Sequence, residues 1–334
     1  MRIRQAIAAI VTAIVELLLV SGSSFLPESA DPPCVFNALC TCSKPGPDLG
    51  KVVCADTPLV TVPPAINLSA IYICVFRKNG LQKVADRSFF GTGISRLEIS
   101  GNLLSGSLSP HVFAGLERTL RELNLQANHL TSIPRSSLSR LQRLKDLNLN
   151  NNRIAELRGE HDFPANLRSS LKILSLAGNS LSYVDQFAFS VLAALQHLDL
   201  SANNIFALNE MAFSQGNDFT ASSSSPLSVT ALPSMRQEAE GSSYNNYRPG
   251  GGSRGRTADS SSPSSSAPPQ PLLHLESLNL GNNRLKKIPF EAVHHLSGLK
   301  VLDLRSNLIS TTSDIIEYKG NKLSLQQLHL DLNR

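Results

Sequence analysis

Apolar residues along this chain recur at two nested intervals, a short one of two or three residues and a long one of about twenty-four. The cleanest stretch runs Leu120, Leu123, Leu125, Asn128 and Leu130, with polar residues between. The same frame starts again at Leu144, Leu171, Leu195, Leu275 and Leu299. It appears more loosely at Ile94 (Leu97, Ile99, Asn102, Leu104), and at Ile71 with Cys74 in a leucine position. A ninth copy begins at Leu325 and reaches Asn333 one residue before the chain ends. From 71 to 195 the starts lie 23, 26, 24, 27 and 24 residues apart. Residues two apart, such as Leu123 and Leu125, share one side of a short strand, while Asn124 between them faces the other way. One copy alone has nothing to bury its apolar side against, so parallel stacking of the strands is required. Asn128 falls where the chain turns away, and its amide can satisfy backbone groups that would otherwise be buried unpaired. Phe89, Phe113, Leu138, Phe189, Phe213 and Val293 recur eighteen or nineteen residues after each start and predict a second interior column.

This is the grammar of a leucine-rich repeat, and the fold class it predicts is an α/β repeat solenoid with a parallel concave sheet. A chain of 334 residues without tryptophan and with 17% charged residues must build that core from leucine. Glu98, Asn124, Asn148, Ser175, Asp199, Asn279, Asp303 and His329 occupy the outward position between the second and third leucines and should line up as one column on the concave face. That column is open to two readings: a recognition surface for a protein, or a strand face that is polar because water covers it.

Beyond the repeats the chain divides by composition. Residues 1–30 carry Arg2 and Arg4, an apolar run from Ala6 to Val20 and then small residues, the layout of a secretory signal peptide. A retained membrane anchor is the alternative, although that run is short for a bilayer and Glu16 interrupts it. Residues 31–70 hold Cys34, Cys40, Cys42 and Cys54, as expected of a cysteine-rich N-terminal cap that covers the first coil. Spacing alone allows three disulfide connectivities. Zinc is the rival use of such cysteines, disfavoured by the leader and by the lack of a Cys-x-x-Cys pair. Residues 71–213 carry repeats. Residues 214–272 hold sixteen serines, seven prolines and six glycines, too little apolar surface to fold alone, and predict a disordered insert. The break in grammar also leaves open an error in the gene model, which sequencing the transcript resolves. Residues 273–334 resume the repeats and stop in mid-coil, as expected of the N-terminal portion of a longer protein.

The net charge of +5 is spread without a block of like charges, which argues against nucleic acid as partner. There is no Gly-x-Ser-x-Gly, phosphate loop or His-Glu-x-x-His, so no catalytic, cofactor, small-molecule or metal site is expected. Asn67-Leu68-Ser69 is a glycosylation acceptor, used if the chain is secreted.

The run Pro32-Pro33-Cys34-Val35-Phe36-Asn37-Ala38-Leu39-Cys40-Thr41-Cys42-Ser43-Lys44, with Pro47-Asp48-Leu49-Gly50, resembles the mature N-terminus of the chaoptin-like proteins, arthropod photoreceptor surface proteins. The similarity continues through Ile99 to Asn102 and Phe113 to Arg118, and returns in Ile315 to Lys319 and Leu325 to Asn333. The resemblance implies a glycosylated adhesion protein, held to the outer leaflet by a glycolipid (GPI) anchor and binding copies of itself on an apposed membrane. The likeness to N-terminal repeat caps implies the pairs Cys34–Cys42 and Cys40–Cys54. The chain departs from the family in having few repeats, no anchor signal and the low-complexity insert, so these residues alone would be secreted. If the likeness reaches only to the wider repeat class, a heterophilic receptor ectodomain or secreted matrix protein is implied instead.

Overall fold

The structure, a computed structural model, describes residues 31–44, 48–64, 66, 70–158, 161–214, 272–310 and 325–333. The expected leader, the Asn67 acceptor and residues 215–271 of the expected insert lie outside them.

The cap begins with β1 (Pro33–Cys34), β2 (Asn37–Cys42) and β3 (Asp48–Ala55), paired antiparallel. From β3 onward each strand adds in parallel: β4 (Ala70–Arg77), β5 (Arg96–Ser100), β6 (Glu122–Asn124), β7 (Asp146–Asn148) and β8 (Ile173–Ser175). A short two-stranded sheet pairs β9 (Tyr183–Val184) with β11 (Ala207–Leu208). The main sheet runs on through β10 (His197–Asp199), β12 (Ser277–Asn279), β13 (Val301–Asp303) and β14 (Gln327–His329). Register is continuous: Cys74, Leu97, Leu123, Leu147, Leu174, Leu198, Leu278, Leu302 and Leu328 stand opposite one another. All but the last of these are fully buried, as one file of interior side chains. Val52 opposes Cys74, and Cys42 opposes Val52, so the cap closes the end of the leucine file. Disulfides Cys34–Cys42 and Cys40–Cys54 cross-link that cap, with all four cysteines buried. Cys74 is a free, buried thiol.

The second interior column forms as the spacing implies, with Phe89, Phe113, Leu138, Phe189, Phe213 and Val293 all buried. Phe163 joins it, packing 6.3 Å from Phe189, which stacks on Phe213 at 5.8 Å. Helix on this return side comes in short turns, among them α1 (Arg135–Leu138), α2 (Phe290–Val293) and a 3₁₀ turn at Ala165–Leu167. Once the strand and two corners are made, a coil of 23 to 27 residues leaves room for little more.

Asparagines bind coil to coil. Asn128 Nδ2 donates to Ile99 O of the preceding coil (2.7 Å) and to Leu125 O (3.0 Å), and its Oδ1 accepts from Leu104 N (3.1 Å). Asn152, Asn179, Asn203, Asn283, Asn307 and Asn333 repeat the arrangement. The residue before each takes a left-handed conformation that lets the side chain turn inward. Glycine supplies it at Gly101 and Gly178, while Ala127, Asn151, Ala202, Asn282 and Ser306 adopt it at φ of 53–55°.

The coils on either side of the expected insert behave as neighbours. Strand β10 pairs with β12 in the same register as with β8. Leu272 N donates to Phe213 O (3.0 Å), the bond that Leu192 N makes to Phe189 O and Leu116 N to Phe113 O in uninterrupted coils. Phe213 and Leu272 therefore stand at the two ends of one tight turn on the return side, and the sheet register runs unbroken from β10 to β12.

Candidate protein-binding face

With leucines filling the inner side of each three-residue strand, the residues flanking them must face away from the core. Glu98, Asn124, Asn148, Ser175, Asp199, Asn279, Asp303 and His329 fall in a single register, the column expected from the sequence. Two residues earlier on each strand, a parallel column comprises Arg96, Glu122, Asp146, Ile173, His197, Ser277, Val301 and Gln327. The period-2 rule that marks the first column also marks this one, and it carries as many charged residues, Arg96, Glu122 and Asp146 against Glu98, Asp199 and Asp303.

The two columns differ in what they are free to do. Asn124, Asn148, Asp199, Asn279 and Asp303 each accept, through Oδ1, the backbone N–H two residues on (2.9–3.0 Å), closing the turn that ends the strand. These side chains are thus structural as well as part of the face: Asn124, Asn148, Asp199 and Asn279 are half-buried, and Asp303 is buried. Glu98 is clamped by Arg77, whose Nε and Nη2 donate to its two oxygens (2.8 and 3.2 Å). Burial opposes the charge on Glu98, but the hydrogen bonds from Arg77 and Ser100 outweigh it and hold its carboxyl below the ordinary value. Burial likewise opposes charge on Asp303, and Arg305 overcomes it. Arg96 pairs with Glu122 across β5 and β6. Asp146 has no such clamp: burial, then repulsion from Glu122, push its carboxyl up, offset in part by Arg96. Together Arg96, Glu98, Glu122, Asn124, Asp146 and Asn148 line a shallow hollow of roughly 160 Å³.

This is a broad, ridged surface of paired charges and amides with an exposed apolar residue, Ile173, at its middle. It has hydrogen-bonding capacity over a wide area and no enclosed cleft, which suits another macromolecular surface. Among the described residues no three His, Cys, Asp or Glu side chains gather closely enough to hold a metal ion.

Residues 118–169, 169–217 and 274–334 match the family described as Leucine rich repeat. The chain is a leucine-rich repeat protein. A leucine-rich repeat protein of Leptospira interrogans shares its fold, with a TM-score of 0.56 at 20% identity over 86% of this chain and 55% of that one. Chaoptin of Drosophila melanogaster is 41% identical over 122 residues, 36% of this chain and 9% of chaoptin. Podocan-like protein 1 of Homo sapiens is 30% identical over 220 residues, 66% of this chain and 40% of that protein. Podocan of Mus musculus is 31% identical over 232 residues, 68% of this chain and 35% of podocan. The chain thus spans less than half the length of each of these curated relatives.

Proposed function

We propose that this leucine-rich repeat chain is an extracellular adhesion surface that binds protein through the outer face of its sheet, with copies of itself on an apposed membrane as the first partner. The observation that carries this reading is the 41% identity to chaoptin, well above the 30% and 31% of the podocan matches. Two disulfides in the cap support an oxidising compartment. On this reading residues 1–30 are a cleaved leader, 31–70 a cap, 71–213 and 273–334 the binding solenoid, Asn67 carries a glycan, and the full-length product is held by a lipid anchor. The test is to express the complete transcript on non-adhesive cells and mix them with labelled untransfected cells. Clusters made only of expressing cells support homophilic adhesion, and dispersed cells refute it. A heterophilic receptor or matrix role is favoured by the longer reach of the podocan matches, 66% and 68% of the chain. Mixed clusters, or capture of a distinct extracellular protein by the sheet face, would support that alternative.

A further inference from the structure

On the edge of the coils, just before the strands begin, lies a second surface with a different character. Arg121, Lys145 and Lys172 immediately precede Glu122, Asp146 and Ile173, which share one register across β6, β7 and β8. The backbone fastens them to each other: Lys145 N donates to Arg121 O, and Lys172 N to Lys145 O, both at 2.8 Å. Three cations are therefore stacked on successive coils, at about 4.8 Å per step. Arg143, Gln142, Ser169 and Ser170 complete an open groove of roughly 360 Å³ that contains no carboxylate in its lining.

All four basic residues are exposed. Among the described residues none of them makes an ion pair or a side-chain hydrogen bond, whereas Arg77, Arg96, Arg158, Lys300 and Arg305 each sit against a carboxylate. Of the two acids on the neighbouring column, Glu122 is taken by Arg96, and Asp146, which follows Lys145, forms no ion pair with any of the four and interacts chiefly with Glu122 and Arg96. Like charges held side by side by the backbone, with no counter-charge of their own, are a fixed demand for anions. Because the demand repeats coil by coil along an open groove, it suits a linear polyanion better than a single small ion. Arginine forks and serine hydroxyls supply the directed donors that sulfate oxygens accept. The disulfide-bonded cap belongs to an oxidising compartment, where sulfated glycans and not nucleic acids are the abundant polyanions. We propose that the groove of Arg121, Arg143, Lys145 and Lys172 binds a sulfated polysaccharide chain, independently of the sheet face.

The test is retention of the secreted protein on immobilised heparin under a salt gradient, with equilibrium titration by soluble heparin. The variant Arg121→Gln, Arg143→Gln, Lys145→Gln, Lys172→Gln should elute at clearly lower salt and bind at least about tenfold more weakly, with a shallower dependence on salt. A charge-matched control, Lys83→Gln, Arg153→Gln, Arg284→Gln, Lys287→Gln, should stay within about twofold of the parent. If the fourfold variant does not fold, Lys145→Gln and Lys172→Gln singly should each weaken binding by two- to threefold. Equal losses in variant and control would reduce the effect to net charge and overturn the proposal. So would unchanged retention of the groove variant, equal binding of desulfated heparin, or competition by single-stranded RNA as strong as that by heparin.

Discussion

Asn283 ties two coils together across the point where the repeat spacing fails, and replacing it tests whether the stack is continuous there. Its Nδ2 donates to Leu200 O and Leu280 O (both 3.0 Å), and its Oδ1 accepts from Ile205 N (3.0 Å), 78 residues away in sequence. Asn283→Ala removes these three buried hydrogen bonds and a longer one to Gly281 O (3.2 Å), at about 0.5–1 kcal/mol each, and strands the Ile205 N–H, whose unmet desolvation adds about 1–2 kcal/mol. The expected loss is therefore about 3–6 kcal/mol, a large share of an ordinary domain's stability. Asn283→Asp keeps the acceptor but sets a carboxylate oxygen against two carbonyl oxygens, and should lose at least as much. The assays are urea unfolding, since solenoids can unfold in parts, together with hydrogen exchange at the Ile205 amide as a local reading. A loss below about 1 kcal/mol with Ile205 still protected would refute the argument that this ladder binds the coils.

Deleting residues 215–270 joins Ser214 to Pro271 and recreates a Phe-Ser-x-Leu turn like Phe189 to Leu192. Loop-closure scaling predicts a gain of about 2–3 kcal/mol in urea titration, and a loss would show that the segment contributes to folding. Replacing Cys40 and Cys54 by serine should cost about 3 kcal/mol, seen as a lower Tm that reductant then changes less than in the parent. Gly178→Ala drives a Cβ into Asn151 Oδ1 at a φ of 66°, and should destabilise by roughly 1–2 kcal/mol in the same titration. Burial pushes the Cys74 thiol far above its ordinary value, so its contribution to stability is complete below the unfolded thiol pKa of about 8.5 and declines as pH rises toward the folded one. Alkylation of Cys74 should accordingly require unfolding, and Cys74→Ala should flatten the alkaline limb of the stability profile.

The solenoid was legible because its signal is a spacing. The strand register, both interior columns and the asparagine ladder all follow from positions such as Leu123, Leu125 and Asn128 repeating with their neighbours fixed. Phe163 lies nineteen residues after Leu144 and obeys the same rule, so its omission from the expected column had no physical cause. What spacing could not convey was the double duty of the outward column. Asn124 and Asp199 look like recognition residues in sequence, yet their i to i+2 bonds appear only once the turn is built. The cationic groove was hidden for a related reason. Arg121, Lys145 and Lys172 lie one coil apart, and a scan for runs of like charge passes over them. Folding converts a period of about twenty-four residues into adjacency.

That double duty determines which substitutions can separate binding from folding. Changing Asn124 or Asn279 removes a turn lock as well as a face residue, so a loss of adhesion there would say little about recognition. The flanking column has no such ambiguity. Glu122 is held only through an exposed pair with Arg96, and such pairs are worth about 0–1 kcal/mol. Asp146 carries a carboxyl already raised by burial and by Glu122, so removing its charge relieves a strain. Ile173 is an exposed apolar side chain on the same line. Substitutions Glu122→Arg, Asp146→Asn and Ile173→Glu should leave the unfolding midpoint nearly unchanged. If the sheet face is the adhesive surface, they should disperse clustered cells. Retained clustering with all three in place would move the adhesive surface off the sheet, whatever the repeats resemble.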